Sequence, residues 1–365
     1  VGPLGGIKVV EMAGLAPAPF CGMILADMGA QVLRVDRKGP ADRGIAPPEG
    51  PLDRSKYVIE LDVKREDDLA ELLNIVEQAD VFVEGFRPGV AERLGLGPQA
   101  LTDRNSRLVY GRLTGWGQDG PLAPRAGHDL NYIALSGALA VSGRGAGRAY
   151  PAANMLGDFA GGGMLLALGI AAALVERDRS GRGQVVDAAM IDGSGLFTAF
   201  LQGMRSAGLW NEEPGQNVLE SAAAPFYNVY ECADGKYLAV GCVELQFYTE
   251  LLAALGIDDP DLPFQLDRRG WPQLLELVSG KLKEKTRDEW AEIFADSDAC
   301  VTPVLELDEV EHHPHNQARR GFLSIDGVTH PAPAPRFSRT SLADPVGITR
   351  DSGEIRRVLS SWGVR

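Results

Sequence analysis

Three short stretches set ionisable side chains in apolar surroundings: GHDLNY with His128 and Asp129, NMLGDFAGGGM with Asp158, and VGCVELQFY with Glu244. Together these types could exchange a proton at carbon, which needs a base on one face of the carbon and an acid on the other. Histidine titrates near neutrality. A carboxylate can work opposite it once its surroundings raise its pKa toward the working range. A third carboxylate can fix the imidazole tautomer and support its charged form. Taken singly, each residue has a plainer reading. His128 could be a satisfied or surface histidine. Asp158 could cap a helix and accept the orphan amides of its first turn, which also favours the charged form; exposed to an activated acyl group, it could be a nucleophile. Glu244 could sit on the rim of a hairpin. Gly157, Gly161, Gly162 and Gly163 flank Asp158, and glycine is a poor helix former unless something must approach closely. A ligand, a second chain or a neighbouring helix would each account for them.

The elements that must carry these residues follow from periodicity. IKVVEM (7–12) and QVLRVD (31–36) read as buried strands around a helix, CGMILADMG, ended by Gly29. LAELLNIVEQAD (69–80) reads as a helix, and VFVEGF (81–86), RLVYGRLTG (107–115) and VVDAAM (185–190) as strands. MLLALGIAAALV (164–175) reads as a core helix, too short to span a bilayer, and 194–210 as another helix. Alternating strands and helices imply a largely parallel, Rossmann-like sheet. The rhythm changes near residue 211. PFYNVYEC and KYLAVGC alternate about Asp234-Gly235, a hairpin pattern, followed by helices over 247–256, 271–286 and 288–297. The expected organisation is α/β: a large Rossmann-like domain over 1–210, a smaller α+β domain over 225–305, and a C-terminal segment, 306–365, returning to the large domain. Within that segment HPAPAPRFSRTSLADP reads as extended chain and GEIRRVLSSWG as a helix.

Composition removes several function classes. The 365 residues are 45% hydrophobic, enough for a substantial core, and carry a net charge of −14 with no basic stripe, so nucleic acid is a poor partner. Cys21, Cys232, Cys242 and Cys300 lack paired metal spacing and fit free thiols in a reducing cytoplasm. HHPH at 312–315 has no convincing carboxylate or cysteine set around it, and Pro314 suggests a loop. No signal peptide or membrane insertion is expected. Asp36, at the end of the second strand, invites a dinucleotide-binding reading. The glycine fingerprint is missing, however: the turn reads GLAPAPFCG, and its prolines remove amides that could cradle a pyrophosphate. The aromatic and methionine residues of 197–210 could line an acyl groove or a dimer seam, with core packing as the default.

The chain resembles the alpha-methylacyl-CoA racemases of the family III CoA-transferase (CaiB/BaiF-type) superfamily. The matching pieces run through nearly the whole chain: VVEMAG, ADMGAQVLRVDR, ADVFVEGFRPGVAERLGLG, TGWGQDGP, AGHDLNY, LGDFAGGG, GRGQVVDAAM, YECADGKYLAVG and SDACVTPV. The resemblance implies two domains and an interlocked homodimer with active sites formed between subunits. It implies inversion of the 2-methyl centre of 2-methylacyl-CoA thioesters through an enolate, with His128 and Asp158 as the acid/base pair and Glu244 hydrogen-bonding the histidine. His128 would serve the S form and Asp158 the R form. No metal or redox cofactor is implied; coenzyme A is part of the substrate. Arg37 and Arg93 match positions near the CoA nucleotide, where a guanidinium fork suits phosphate; Arg87 and Tyr132 are further candidates for the same region. Helix-end amides near Gly157–Gly161 are expected to help stabilise the enolate. Two other readings stay open: a CoA transferase using Asp158 as an acyl-anhydride nucleophile, and a non-catalytic CoA-binding dimer.

Overall fold

The computed structural model describes residues 2–39, 49–143, 147, 149–220 and 222–364. In chain order, β1 (Lys8–Met12), α1 (Pro17–Asp27), β2 (Gln31–Arg37), β3 (Lys56–Leu61), α2 (Glu66–Val76), β4 (Val81–Glu84), α3 (Val90–Arg93), α4 (Pro98–Arg104) and β5 (Val109–Thr114) alternate strand with helix. Then follow α5 (Asp129–Leu135), a π-helical segment (Met155–Met164) that runs straight into α6 (Leu165–Ser180), β6 (Val185–Ala189), α7 (Met190–Leu196) and α8 (Ala199–Ser206). The hairpin β7 (Tyr227–Glu231) and β8 (Tyr237–Gly241), then α9 (Leu245–Ala254), α10 (Trp271–Leu282), α11 (Arg287–Phe294) and β9 (Val301–Pro303) come next. The chain ends with α12 (Pro314–Ala318), the hairpin β10 (Phe322–Ile325) and β11 (Val328–Pro331), and α13 (Ser352–Trp362).

Two compact units emerge: residues 1–136, 152–197 and 311–365 form one, and 137–151 with 198–310 form the other. Segments 137–151 and 198–210, read from the sequence as part of the large domain, therefore group with the second unit.

In the first unit six strands form one sheet in the order β3-β2-β1-β4-β5-β6, all parallel. Both faces are covered, which is why the strands read as continuous apolar runs. One face packs on α1 and α6 through Val9, Val83, Leu113, Leu166 and Ile170; the other packs on α2, α4 and α13 through Val10, Leu33, Phe82, Tyr110 and Trp362. Pro17 stands at the opening of α1, where its missing amide would be unsatisfied anyway, and Gly29 and Gly181 follow α1 and α6 in the left-handed region. The reversal of strand order between β1 and β4 opens a crevice at the carboxyl ends of the strands.

Within the first unit, Thr349 exchanges backbone hydrogen bonds with Lys56 and Val58 at 2.9 Å each, and Trp362 Nε1 donates to Gln31 Oε1 at 2.8 Å. The sequence reading missed β3 and the β10–β11 hairpin. It merged α7 and α8, and the π segment makes the helix containing 164–175 much longer than expected. Residues Met155–Ser180 are long and apolar enough to cross a membrane, yet Leu166, Ala167, Ile170, Ala173 and Leu174 are buried in the core of this unit. Pro314 opens the short helix α12 rather than lying in a loop.

In the second unit β7, β8 and β9 form an antiparallel sheet, turning at Gly235, whose φ is +77°, as the Asp-Gly pair predicts. Phe226, Trp271, Leu274, Leu251 and Trp290 fill its core. None of the α8 residues is buried; Phe200 is 66% exposed, so core packing does not explain the aromatics of 197–210.

Candidate active site

His128 immediately precedes α5 in an extended conformation (φ −135°). Its amide donates to Asn131 Oδ1 at 3.1 Å, one half of a capping box. The residue is exposed, and its imidazole makes no hydrogen bond among the described residues. The satisfied-core reading is therefore excluded.

The next residue turns the other way. Asp129 is 4% exposed, and its Oδ1 accepts the amides of Gly157 at 2.6 Å and Asp158 at 2.8 Å. Those amides belong to the first turn of the π segment, so the carboxylate of α5 caps the segment that carries Asp158. Asp158 lies inside that turn, not ahead of it, which overturns its reading as a cap. The same bonds correct a second expectation: the Gly157 and Asp158 amides are taken by Asp129, so these two are not free to meet an enolate.

Asp158 is half-buried. Burial first, then the negative charge of Asp129, push its carboxyl above the ordinary aspartate range, while a hydrogen bond from Asn154 and the nearby His128 pull it back. The Asn154 Nδ2 to Asp158 Oδ2 distance is 2.9 Å. A carboxylate so placed sits closer to neutrality than a solvated one and can both take and return a proton. Asn154 and Asp129 are functional candidates that sequence reasoning left without a role. The spacing Asn-x-x-x-Asp, one helical turn, could have pointed to the first; nothing local distinguishes the second.

The glycines resolve into packing. A Cβ on Gly161 would lie 2.7 Å from the Ser194 amide nitrogen and 3.0 Å from the Gly193 carbonyl carbon, and one on Gly162 would lie 2.9 Å from Met190 Cγ. On Gly163 it would strike the backbone of α1 at Pro17. The π segment thus lies backbone-to-backbone on α7 and α1, the neighbouring-helix alternative. Tyr132, at 6% exposure, packs edge-on against Trp116 at 4.8 Å. Its hydroxyl is pushed up to about 12 by burial and by Asp158, with Arg87 acting against them. Tyr132 thus lies near Asp158, and Arg87 is exposed.

At the carboxyl ends of β1, β2 and β3 lies a cavity of about 280 Å³, lined by Arg37, Lys64, Val35, Val63, Phe86 and Leu94 among others. Its lining is mostly apolar, with two cations, Arg37 and Lys64, and two carboxylates, Asp36 and Asp62. Arg93, exposed, is the last residue of α3, beside Leu94. Lys64 was not singled out from the sequence. Asp36 also lines the cavity, but its carboxylate is held by Arg34 at 2.8 and 2.9 Å and by Arg350 at 3.1 Å, so it is not a free ribose acceptor. Glu244 belongs to the second unit, exposed, immediately before α9; its carboxylate makes no hydrogen bond among the described residues.

The profile of CoA-transferase family III matches residues 4–353. Alpha-methylacyl-CoA racemase of Mus musculus is 47% identical over 339 residues, covering 92% of this chain and 87% of that protein; the Homo sapiens protein of the same name is 46% identical over 338 residues, with the same coverage. Acetyl-CoA:oxalate CoA-transferase of Acetobacter aceti is 30% identical over 361 residues, covering 92% of this chain and 90% of that one. The crystal structure of a CAIB/BAIF family protein from Brucella suis superposes with a TM-score of 0.84 at 26% identity, covering 98% of this chain and 99% of that one.

Proposed function

The chain belongs to CoA-transferase family III, and we propose that within it the protein is an alpha-methylacyl-CoA racemase that interconverts (2R)- and (2S)-2-methylacyl-CoA thioesters. The observation that carries this reading is the pairing of an exposed imidazole, His128, with a half-buried carboxyl, Asp158, on segments tied together by the Asp129 carboxylate. The identity to two racemases, 46–47%, supports it.

The thioester carbonyl acidifies the hydrogen on C2. One base removes that proton, the electron pair delocalises onto the carbonyl oxygen, and the enolate is flat at C2. Protonation from the opposite face by the second group inverts the centre and returns the carbonyl. Asp158 takes the proton of the R form and His128 that of the S form, each acting as the acid for the reverse direction. Glu244 is assigned, by resemblance, to hold the imidazole and favour its charged state. Arg37 and Arg93 are assigned to the CoA phosphates, supported by the cavity that Arg37 lines and Leu94 adjoins.

We further propose an interlocked homodimer. Leu130, Leu135, Leu168, Leu196 and Phe197 are large apolar side chains left exposed on and around α5, α6 and α7 of the first unit, a pattern that a partner surface would cover. With Met155–Ser180 serving as a core helix, no membrane insertion is needed, and four free thiols suit a cytoplasmic setting.

The test is turnover of each pure enantiomer in deuterium oxide. Wild-type protein should exchange and invert together, without added metal or nicotinamide. His128→Ala and Asp158→Ala should nearly abolish inversion, with any residual exchange confined to the enantiomer whose base survives. Near wild-type interconversion by His128→Ala would refute the two-base reading, and a hydroxylamine-trapped Asp158 adduct would favour CoA transfer instead.

A further inference from the structure

The carboxyl end of β4 holds a buried polar cluster that the proton-transfer chemistry does not use. Glu84, the last residue of β4, is fully buried, and it is paired in register with Arg112 of β5. Arg112 is 7% exposed, and its Nε lies 3.3 Å from Glu84 Oε1. Asp187 of β6 stands opposite Arg112 on the other side. Burying ions in this way costs more than an apolar pair would, so such a cluster is weak as a stabilising device. It lies where the strand order reverses, at the crevice that binds ligands in sheets of this type.

Three of its contacts lead to one stretch of chain. Glu84 Oε2 accepts the amide of Phe86 at 2.7 Å. Arg112 donates to Glu92 Oε1 of α3 at 3.0 Å. The Tyr110 hydroxyl, buried beside Arg112, donates to the Leu96 carbonyl at 2.9 Å. These three bonds fix the beginning, middle and end of residues 86–96. That stretch supplies Phe86 and Leu94 to the cavity and carries Arg93 between Glu92 and Leu94. Burial pushes the Glu84 carboxyl up to about 7, against the pull of the Phe86 amide and Arg112.

We infer that Glu84 and Arg112 are positioning residues for coenzyme A, holding from inside the sheet the turn that brings Phe86 and Leu94 to the cavity and carries Arg93 next to Leu94. This rests on the reading of that cavity as the CoA site. Neither side chain needs to touch the reacting atoms: Arg112 acts through Glu92, and Glu84 through Phe86. The consequence is a defect in binding rather than in chemistry.

The decisive variant is Glu92→Ala, because the Glu92 side chain is 45% exposed and its loss leaves the core intact. KM for 2-methylacyl-CoA should rise about fivefold to tenfold, kcat should stay within about twofold, and the calorimetric Kd for free CoA should weaken in parallel. The double variant Glu92→Ala/Arg93→Ala should bind little worse than Arg93→Ala alone, since both act on one contact. Glu92→Gln, which keeps an acceptor for Arg112, should restore most of the affinity. Unchanged KM and Kd in Glu92→Ala, with Arg93→Ala impaired, would overturn the positioning role while leaving the cavity assignment intact. Unchanged KM in Arg93→Ala would overturn the assignment beneath it. A fall in kcat at constant KM would also overturn the inference.

Discussion

Asn154→Ala strips the Asp158 carboxylate of the 2.9 Å hydrogen bond from Asn154 Nδ2 and leaves Asp129, which faces the backbone side of the same turn, in place. A hydrogen bond to a charged group contributes about 1.5–3 kcal/mol when dry. Asp158 is only half-buried, so water replaces part of it and roughly 1 kcal/mol remains. The bond favours the ionised carboxylate, so its loss raises a pKa that burial and Asp129 already hold above the ordinary value. The R direction uses ionised Asp158 with protonated His128, and the S direction uses protonated Asp158 with neutral His128. These two forms carry the same number of protons, so kcat/KM has one pH profile for both enantiomers, and its acid limb should move up in both. The assay is kcat/KM against pH for each pure enantiomer, followed by loss of deuterium from C2. Profiles that superimpose on wild type, or an acid limb that moves down, would refute both the role of Asp158 and the electrostatic account of its pKa.

Three further outcomes follow from the same geometry. Arg37→Ala and Arg93→Ala should each raise KM for acyl-CoA by about tenfold with kcat within about threefold, and steady-state kinetics that show unchanged KM in both would remove them from the CoA site. Gly161→Ala places a methyl group against the Ser194 and Gly193 backbone, which cannot yield as a side chain can; overpacking of about 1–3 kcal/mol should lower the midpoint in a calorimetric scan by several degrees and displace Asp158, with activity falling in step. Sedimentation equilibrium should give twice the 39.1 kDa chain mass at micromolar concentration, and a stable, active monomer would exclude the dimer.

Much of this fold is legible from local pattern. Apolar runs such as VVEM and VLRVD announce buried parallel strands, and the Asp234-Gly235 pair marks the hairpin, because strand burial and turn conformation are decided within a few residues. His128 and Asp158 stand out for a similar reason, as ionisable types in apolar settings. What the sequence leaves open is which distant groups meet. Asp129 sits beside His128 in the chain, yet its carboxylate serves amides 28 and 29 residues away, and that pairing exists only because α5 packs on the π segment. The glycines near Asp158 were equally consistent with a ligand, a second chain or a helix; only the backbones of α1 and α7 pressed against them decide the matter. Asp36 only invites a ribose-acceptor reading, which the missing glycine fingerprint already weakens, and the tertiary structure shows what its carboxylate does instead: it is held by Arg34 and by Arg350 across 314 residues. Propensity and periodicity act along the chain, whereas burial and pairing depend on whichever surface folds against a residue, and that surface is set by the whole tertiary arrangement.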